Sequence, residues 1–150
     1  RVPVIFSGSA LPESLKRTVD RRPAELVDIY TTLLKVAGIP VPERAAGKDL
    51  LSDSPLRPAS FCALHERKDE AAFMWRTPER KLILRFSRGT DASRYTNEDV
   101  IGGEFYDLEK DPMEWDDRFG DPEYSEEKDK MMKELLLHLK GQKRIIGTNH

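Results

Sequence analysis

The chain has 150 residues, 38% hydrophobic and 35% charged, which is the size of one domain or part of one and allows a modest core. Its formal net charge of -2 gives no general attraction to nucleic acid or to an anionic membrane, and no apolar run approaches the roughly 20 residues of a membrane span. The single cysteine, Cys62, excludes an internal disulfide but leaves the cellular compartment open.

The first predicted element is a strand over residues 2–6. It is apolar on both faces, in the manner of a strand buried inside a parallel sheet. Few other segments could pair with it in parallel, so we expect the rest of that sheet to lie outside this chain. The first residue is not Met and no signal pattern follows, which indicates a processed or truncated N-terminus.

Residues 23–42 predict a short helix. Asp28 is a good N-cap, and Gly38 can close the helix in the left-handed conformation. Pro40 and Pro42 prevent it from resuming. Apolar residues recur between them at helical spacing: Ile29, Leu33, Leu34, Val36 and Ala37. A helix of about ten residues is marginal alone in water, so its apolar stripe needs a partner surface.

After a connecting loop the hydrophobic period changes to that of strands. Four short strands are predicted, over residues 59–64, 72–77, 81–86 and 104–108. Residues 77–80 form a tight hairpin turn, and the polar stretch 88–103 is interpreted as a long loop before the last strand. These strands indicate a small antiparallel sheet.

Two helix starts follow the strands. Asp111 and Glu114 match a capping box, which begins a short turn carrying Trp115 and Phe119. A second cap-plus-proline start at Asp121 predicts a helix to about Lys140. Its buried stripe is Met131, Leu135 and Leu139, flanked by Met132 and Leu136. Residues from about 141 onward are interpreted as a loose tail.

The predicted fold class is α+β. Residues 1–57 are interpreted as the end of an α/β core, namely its last strand and helix, with a connecting loop. Residues 58–150 are interpreted as a C-terminal subdomain, a four-stranded antiparallel sheet packed by the last helix.

Few residues are candidates for a catalytic or substrate-binding role. His65 and Glu66 follow a predicted strand, where a general base or a substrate contact could stand, although an ordinary loop histidine is the default interpretation. Cys62 lies within an apolar strand and is interpreted as a buried structural thiol. His138 is expected at the surface of the last helix, and His150 ends the chain.

Several familiar sites do not match the sequence. The acidic stretch from Glu104 to Asp129 lacks the spacing of an EF-hand loop and is interpreted as turns, caps and a solvated face. There is no glycine-rich phosphate loop and no G-x-S-x-G elbow. Basic and aromatic residues alternate between Trp75 and Arg88. This pattern could bind nucleic acid, but a solvent-facing strand surface gives the same alternation, and the near-neutral net charge favours the second interpretation. No catalytic or metal-binding residue is therefore assigned.

Three stretches together resemble the C-terminal portion of a type I sulfatase of the alkaline-phosphatase-like superfamily. RVPVIFSG is similar to a late core strand, and ELVDIYTTLLKVAGIPVPERAAGKDLL to the aspartate–helix–Gly-Ile-Pro segment with its Gly-x-Asp/Ser-Leu loop. WRTPERKLILRF and EFYDLEKDPMEWDDR resemble a strand pair and a turn of the C-terminal subdomain. The family often has Pro where this chain has Thr31.

The resemblance implies a parent enzyme that hydrolyses sulfate esters of a small molecule or glycan. It implies a formylglycine nucleophile and a calcium ion, both N-terminal to this region. Cys62 in FCALHER does not match the Cys/Ser-x-Pro/Ala-x-Arg motif. The chain alone is therefore expected to be inactive, with no cofactor of its own. His65, Glu66 and Arg67 are candidates for the edge of the substrate entrance.

The expected partner is the missing N-terminal catalytic core, and self-association through uncovered core surface is a further expectation. Neither nucleic acid nor a membrane is expected as a partner. Two alternatives remain: a non-catalytic binding module, and part of a phosphoester hydrolase of the same superfamily. The resemblance implies a periplasmic, extracellular or lysosomal location without choosing among them.

Overall fold

The computed structural model describes residues 3–9, 11–52, 57–64, 70–87 and 91–141. The chain divides into two compact units, Arg1–Pro58 and Ala59–His150. Among the described residues, none of the helices combines the length and the apolar character needed to cross a membrane.

The first unit contains helix α1, Leu26–Val36, preceded by a short 3-10 turn at Glu13–Leu15. The N-cap is Glu25 rather than Asp28, so the predicted cap is wrong. Glu25 has an extended backbone and forms a capping box with Asp28, whose Oδ2 accepts a hydrogen bond from the Glu25 amide at 2.7 Å. The helix therefore begins three residues earlier than predicted, and Asp28 is its third residue rather than its cap.

The end of α1 is the predicted glycine stop. Gly38 has a φ of 68°. Its amide donates to the Lys35 carbonyl at 3.0 Å, and the Ile39 amide donates to the Leu34 carbonyl at 2.8 Å. This pair of bonds is the Schellman motif, which satisfies carbonyls that the helix leaves without partners.

Helix α1 buries its polar face and exposes its apolar one. Asp28, Thr31 and Thr32 are its buried residues. Its large apolar side chains are exposed, with Leu26 at 73%, and the others are Val27, Tyr30, Leu33 and Val36. An amphipathic helix ordinarily shows the opposite arrangement. The predicted stripe residues Leu33 and Val36 are therefore exposed rather than buried.

The strand predicted over residues 2–6 is not formed where the structure describes it. Residues 3–7 have no strand partner, and Val4 and Ile5 are exposed. A strand requires a neighbouring strand for its backbone groups, and the described part of the first unit supplies none.

The second unit is built on a four-stranded antiparallel meander, as predicted. In sheet order the strands are β1 (Ser60–Leu64), β2 (Glu70–Arg76), β3 (Arg80–Ser87) and β4 (Val100–Asp107). The tight turn between β2 and β3 is closed by a hydrogen bond from the Thr77 amide to the Arg80 carbonyl, at 2.9 Å.

Strand β4 begins earlier than predicted, and the preceding segment holds 3-10 turns at Ala92–Arg94 and Asn97–Asp99. Gly102 and Gly103 are paired within the strand. A Cβ on Gly103 would lie 2.5 Å from the Ile83 carbonyl oxygen and 2.5 Å from the Phe119 ring. The glycine is therefore needed for close packing within the sheet, and its role as a loop end is a wrong prediction.

Helix α2, Ser125–Gly141, covers one face of this sheet, following a 3-10 turn at Pro122–Tyr124. The register aligns Phe61, Trp75, Leu82 and Phe105 across the four strands on one face. The predicted stripe of α2 joins the same core, with Met131, Leu135, Leu136 and Leu139 buried and Met132 packed against them. The second unit therefore has the α+β architecture expected from the sequence.

The predicted capping box at Asp111 does not begin a helix. Oδ2 of Asp111 accepts from the amides of Trp115 and Asp116, at 2.6 and 2.9 Å. Glu114 instead binds Lys81, and its φ of 60° is incompatible with a helical turn. The segment is an acidic loop rather than a helix start.

Candidate functional site

The candidate substrate-edge residues, His65, Glu66 and Arg67, lie outside the described residues. Their place in the chain is between the end of β1 at Leu64 and the start of β2 at Glu70. Their proposed role stays a prediction.

The other two candidates differ from expectation. Cys62 is exposed, so its assignment as a buried thiol is wrong. It lies on edge strand β1 with its side chain on the sheet face opposite Phe61, because successive strand residues alternate between faces. His138 is partly buried, with its ring 4.6 Å from that of Phe61 and 5.0 Å from that of Trp75. His138 therefore packs on the core instead of lying free at the surface.

The first unit is organised around the buried carboxylate of Asp28. Besides the Glu25 amide, Asp28 accepts hydrogen bonds through Oδ1 from the Lys48 amide at 2.7 Å and from Arg57 Nη2 at 2.6 Å. Arg57 Nη1 also lies 2.7 Å from Glu25 Oε2, an ion pair without hydrogen-bond geometry. One carboxylate thus connects the helix start to two points of the following loop.

The same loop is held further along the helix. Thr32 Oγ1 donates to the Asp28 carbonyl at 2.7 Å and accepts from the Leu50 amide at 2.9 Å. Gly47 lies so close that an added Cβ would be 2.2 Å from the Val27 carbonyl oxygen. The Gly-x-Asp-Leu segment therefore needs glycine because it packs against the backbone of α1.

The second unit has a comparable centre at Asp107, which is buried at the end of β4. Its Oδ1 accepts from Arg80 Nη1 at 2.9 Å and from the Glu109 amide at 3.1 Å. Its Oδ2 accepts from the Tyr124 hydroxyl at 3.0 Å. Asp107 therefore joins β3, β4, the following turn and the 3-10 turn that precedes α2.

The hydrogen bonds of Asp107 keep it ionised. Burial alone would raise the pKa of the carboxyl, but the Lys110 amide, the Tyr124 hydroxyl and the charge of Arg80 together hold the pKa below its usual value. Hydrogen bonding to Glu127 correspondingly raises the pKa of the Arg80 guanidinium. These shifts arise from one ion-pair network, in which Arg80 pairs with Asp107 and with Glu127.

The sheet face opposite α2 carries a chain of polar contacts. Lys81 Nζ lies 2.5 Å from Glu114 Oε2 and over the Tyr106 ring, 5.5 Å from its centroid. The Tyr106 hydroxyl donates to Glu104 at 2.9 Å, and Glu104 pairs with Arg85. Burial, with help from Glu104, raises the pKa of Tyr106 to about 12. This tyrosine is a hydrogen-bond donor at neutral pH and not a proton acceptor.

In the part of the chain that the structure describes, no group of three or more His, Cys, Asp or Glu could hold a metal ion. The residues described do not fit a calcium site, and Cys62 stands outside the formylglycine motif, so neither group is assigned to this chain. The polar clusters around Asp28 and Asp107 hold loops against the neighbouring helix and strands.

The sequence did not identify either carboxylate centre. Asp28 could be read as an ordinary N-cap, because its partners lie 20 and 29 residues further along the chain. Asp107 lies in the last predicted strand, where an acidic residue among apolar ones is a signal for a buried partner. Its arginine partner, Arg80, is 27 residues earlier, so the sequence alone does not identify the pair.

Solved structures share this fold. A 2-O GAG sulfatase matches with a TM-score of 0.57 and 24% identity, covering 81% of this chain and 26% of that one. A protein solved in complex with its substrate, D-glucosamine-2-N,6-O-disulfate, matches with a TM-score of 0.56 and 25% identity, covering 76% and 23%. The phosphonate monoester hydrolase of Agrobacterium radiobacter matches with a TM-score of 0.55 and 21% identity, covering 77% and 24%. No protein-family model and no curated protein matches the sequence.

The architecture is therefore that of the C-terminal region of sulfatases, as the sequence resemblance predicted. The chain spans about a quarter of the length of the structures it matches. Placement in the wider alkaline-phosphatase-like superfamily stays a prediction.

Proposed function

We propose that this chain is the C-terminal part of a sulfatase-like ester hydrolase, whose nucleophile and metal site belong to the remainder of the enzyme. The observation that carries the proposal is the exposed apolar face of α1, on a helix whose polar face is already used. Such a helix is stabilised by packing on a further apolar surface. A chain that spans a quarter of its structural neighbours is expected to lack such a surface.

In this proposal the first unit joins the catalytic core to the second unit. The substrate is a sulfated small molecule or glycan. The core provides the formylglycine and the calcium ion, while His65, Glu66 and Arg67 lie at the substrate entrance. Supporting the core is thus the main contribution of the described residues.

The test requires the reading frame upstream of Arg1. A Cys/Ser-x-Pro/Ala-x-Arg motif there, with release of 4-nitrophenol from 4-nitrophenyl sulfate by the longer protein, is the expected result. The 150-residue chain alone should release none. An upstream stop codon or an unrelated domain would instead favour the non-catalytic binding module, and turnover by the short chain would refute the division of roles.

The role of the entrance residues needs a kinetic test in the longer enzyme. We expect His65→Ala to raise KM for the natural substrate with little change in kcat, because the residue contacts substrate without taking part in bond cleavage. His138→Ala is the control for loss of a histidine that has a packing role, because His138 packs against Phe61 and Trp75. It should leave KM unchanged. Unchanged KM in the His65 variant would remove the assignment.

Phosphonate or phosphate ester hydrolysis is the second candidate activity. It is favoured by the fold shared with a phosphonate monoester hydrolase. Parallel assays with 4-nitrophenyl sulfate and 4-nitrophenyl phenylphosphonate distinguish the two, and preference for the phosphonate would replace the sulfatase assignment.

A further inference from the structure

Residues 109–118, here called the Trp115 loop, expose two large apolar side chains. Trp115 is 82% exposed and Met113 is 66% exposed. The other tryptophan, Trp75, is 6% exposed within the core. Tryptophan is among the residues that dominate binding energy at protein interfaces, so an indole held outward is a candidate contact point.

The backbone of the Trp115 loop is fixed before any partner binds. Oδ2 of Asp111 accepts from the amides of Trp115 and Asp116, at 2.6 and 2.9 Å. At the end of the loop, the Arg118 amide donates to the Phe105 carbonyl of β4 at 2.7 Å. A loop that is already ordered loses little conformational entropy on binding.

The residue between the two exposed side chains has an unfavourable backbone conformation. Glu114 has a φ of 60°, in the left-handed region that residues with side chains rarely adopt. Its carboxylate is held by Lys81 at 2.5 Å. Strain retained at such a position is a reason to look for a function of the neighbouring side chains, Met113 and Trp115.

The charge of this region defines the kind of partner. Residues 109–118 carry five carboxylates and two cations, and residues 119–127 add four carboxylates and no cation. Arg80 and Lys81 of β3 pair with three of these carboxylates, so the region keeps an excess of negative charge. Such a surface attracts cationic segments and repels sulfated or phosphorylated ligands. A cationic side chain can in addition lie over an exposed indole face.

We propose that the Trp115 loop is a docking surface for an arginine- or lysine-rich peptide segment of a partner protein. The indole of Trp115 receives a cationic side chain, Met113 packs against its methylene groups, and the surrounding carboxylates select its charge. This surface is independent of the proposed hydrolase activity.

The test is the binding of a fluorescently labelled oligo-arginine peptide to the purified chain, followed by anisotropy at fixed ionic strength. We expect saturable binding that Trp115→Ala weakens about two- to fivefold, the size of a cation–π contact at an exposed site. Asp116→Asn should weaken it as well. Glu98→Gln, which removes the same charge before the start of β4, at the far end of that strand from the loop, should leave the affinity unchanged.

A second measurement uses the emission of Trp115 itself. In a Trp75→Phe variant Trp115 is the only tryptophan, and the oligo-arginine peptide should change its emission while an oligo-glutamate peptide should not. Equal weakening by Asp116→Asn and Glu98→Gln, or unaltered binding by Trp115→Ala, would mean attraction by net charge alone and would overturn the proposal. Binding of a heparin oligosaccharide in place of the peptide would overturn it too.

Discussion

Replacing Asp28 by Asn should destabilise the first unit selectively. Asp28 is fully buried, and the substitution leaves the guanidinium of Arg57 beside a neutral amide. Breaking a buried ion pair by changing one partner costs about 3–5 kcal/mol. Arg57 keeps its second carboxylate, Glu25, at 2.7 Å, and Asn retains one acceptor oxygen. We therefore expect the lower end, about 3 kcal/mol.

The loss should appear in hydrogen exchange of the Leu50 amide, which is bonded to Thr32 across the same loop. A loss of about 3 kcal/mol corresponds to exchange roughly 100-fold faster. Asp49→Asn is the matched control, because the Lys35–Asp49 pair is long at 3.4 Å and its lysine is exposed. Such a pair is worth about 0–1 kcal/mol. Exchange in the Asp28 variant no faster than in the Asp49 variant would show that the buried carboxylate does not hold the loop.

Three further substitutions test the close contact at Gly47, the buried hydroxyl of Thr31 and the charge of Asp107. Gly47→Ala places a Cβ 2.2 Å from a backbone oxygen of α1 and should cost about 1–3 kcal/mol in chemical unfolding, whereas Gly120→Ala, with open space around it, should cost under about 0.5 kcal/mol. Thr31→Val should stabilise by about 1 kcal/mol, because the buried Thr31 hydroxyl has no hydrogen-bond partner among the described residues. The lowered pKa of Asp107 means that its stabilisation is present above the usual value of 3.8 and lost as pH falls through the folded value. Asp107→Asn should therefore unfold more easily at neutral pH and lose this acid dependence, measured by urea unfolding across the acid range. Equal costs for the two alanine variants, a destabilised Thr31 variant or an unaltered acid dependence would contradict the respective argument.

Local signals in the sequence predicted the elements that local forces determine. The stripe of α2 and the glycine stop at Gly38 depend on residues within a few positions, and both are confirmed. The prediction that Cys62 is buried was wrong for a different reason. An apolar run does not reveal which strand residues face the sheet side without a helix, or that β1 is an edge strand.

The polar centres could not be predicted in the same way. Asp28 satisfies the ordinary criteria for a cap, and only the fold brings Arg57 to it. Gly103 sits beside another glycine in a polar stretch, and it must lack a side chain because the Ile83 carbonyl oxygen and the Phe119 ring both approach closely. Long-range contacts therefore account for most of what the sequence left undetermined.

The two units differ in how they use their apolar surface, and this difference is the main functional evidence in the chain. In the second unit α2 buries its stripe on the sheet, and every residue of the described hydrophobic core belongs to this unit. In the first unit the polar face of α1 binds the following loop. Asp28 accepts hydrogen bonds from Lys48 and Arg57, and Thr32 accepts one from Leu50. Its apolar face is left exposed, and a face of that size on a helix too short to be stable alone requires a further surface. In the function proposed above, that further surface belongs to the remainder of the enzyme.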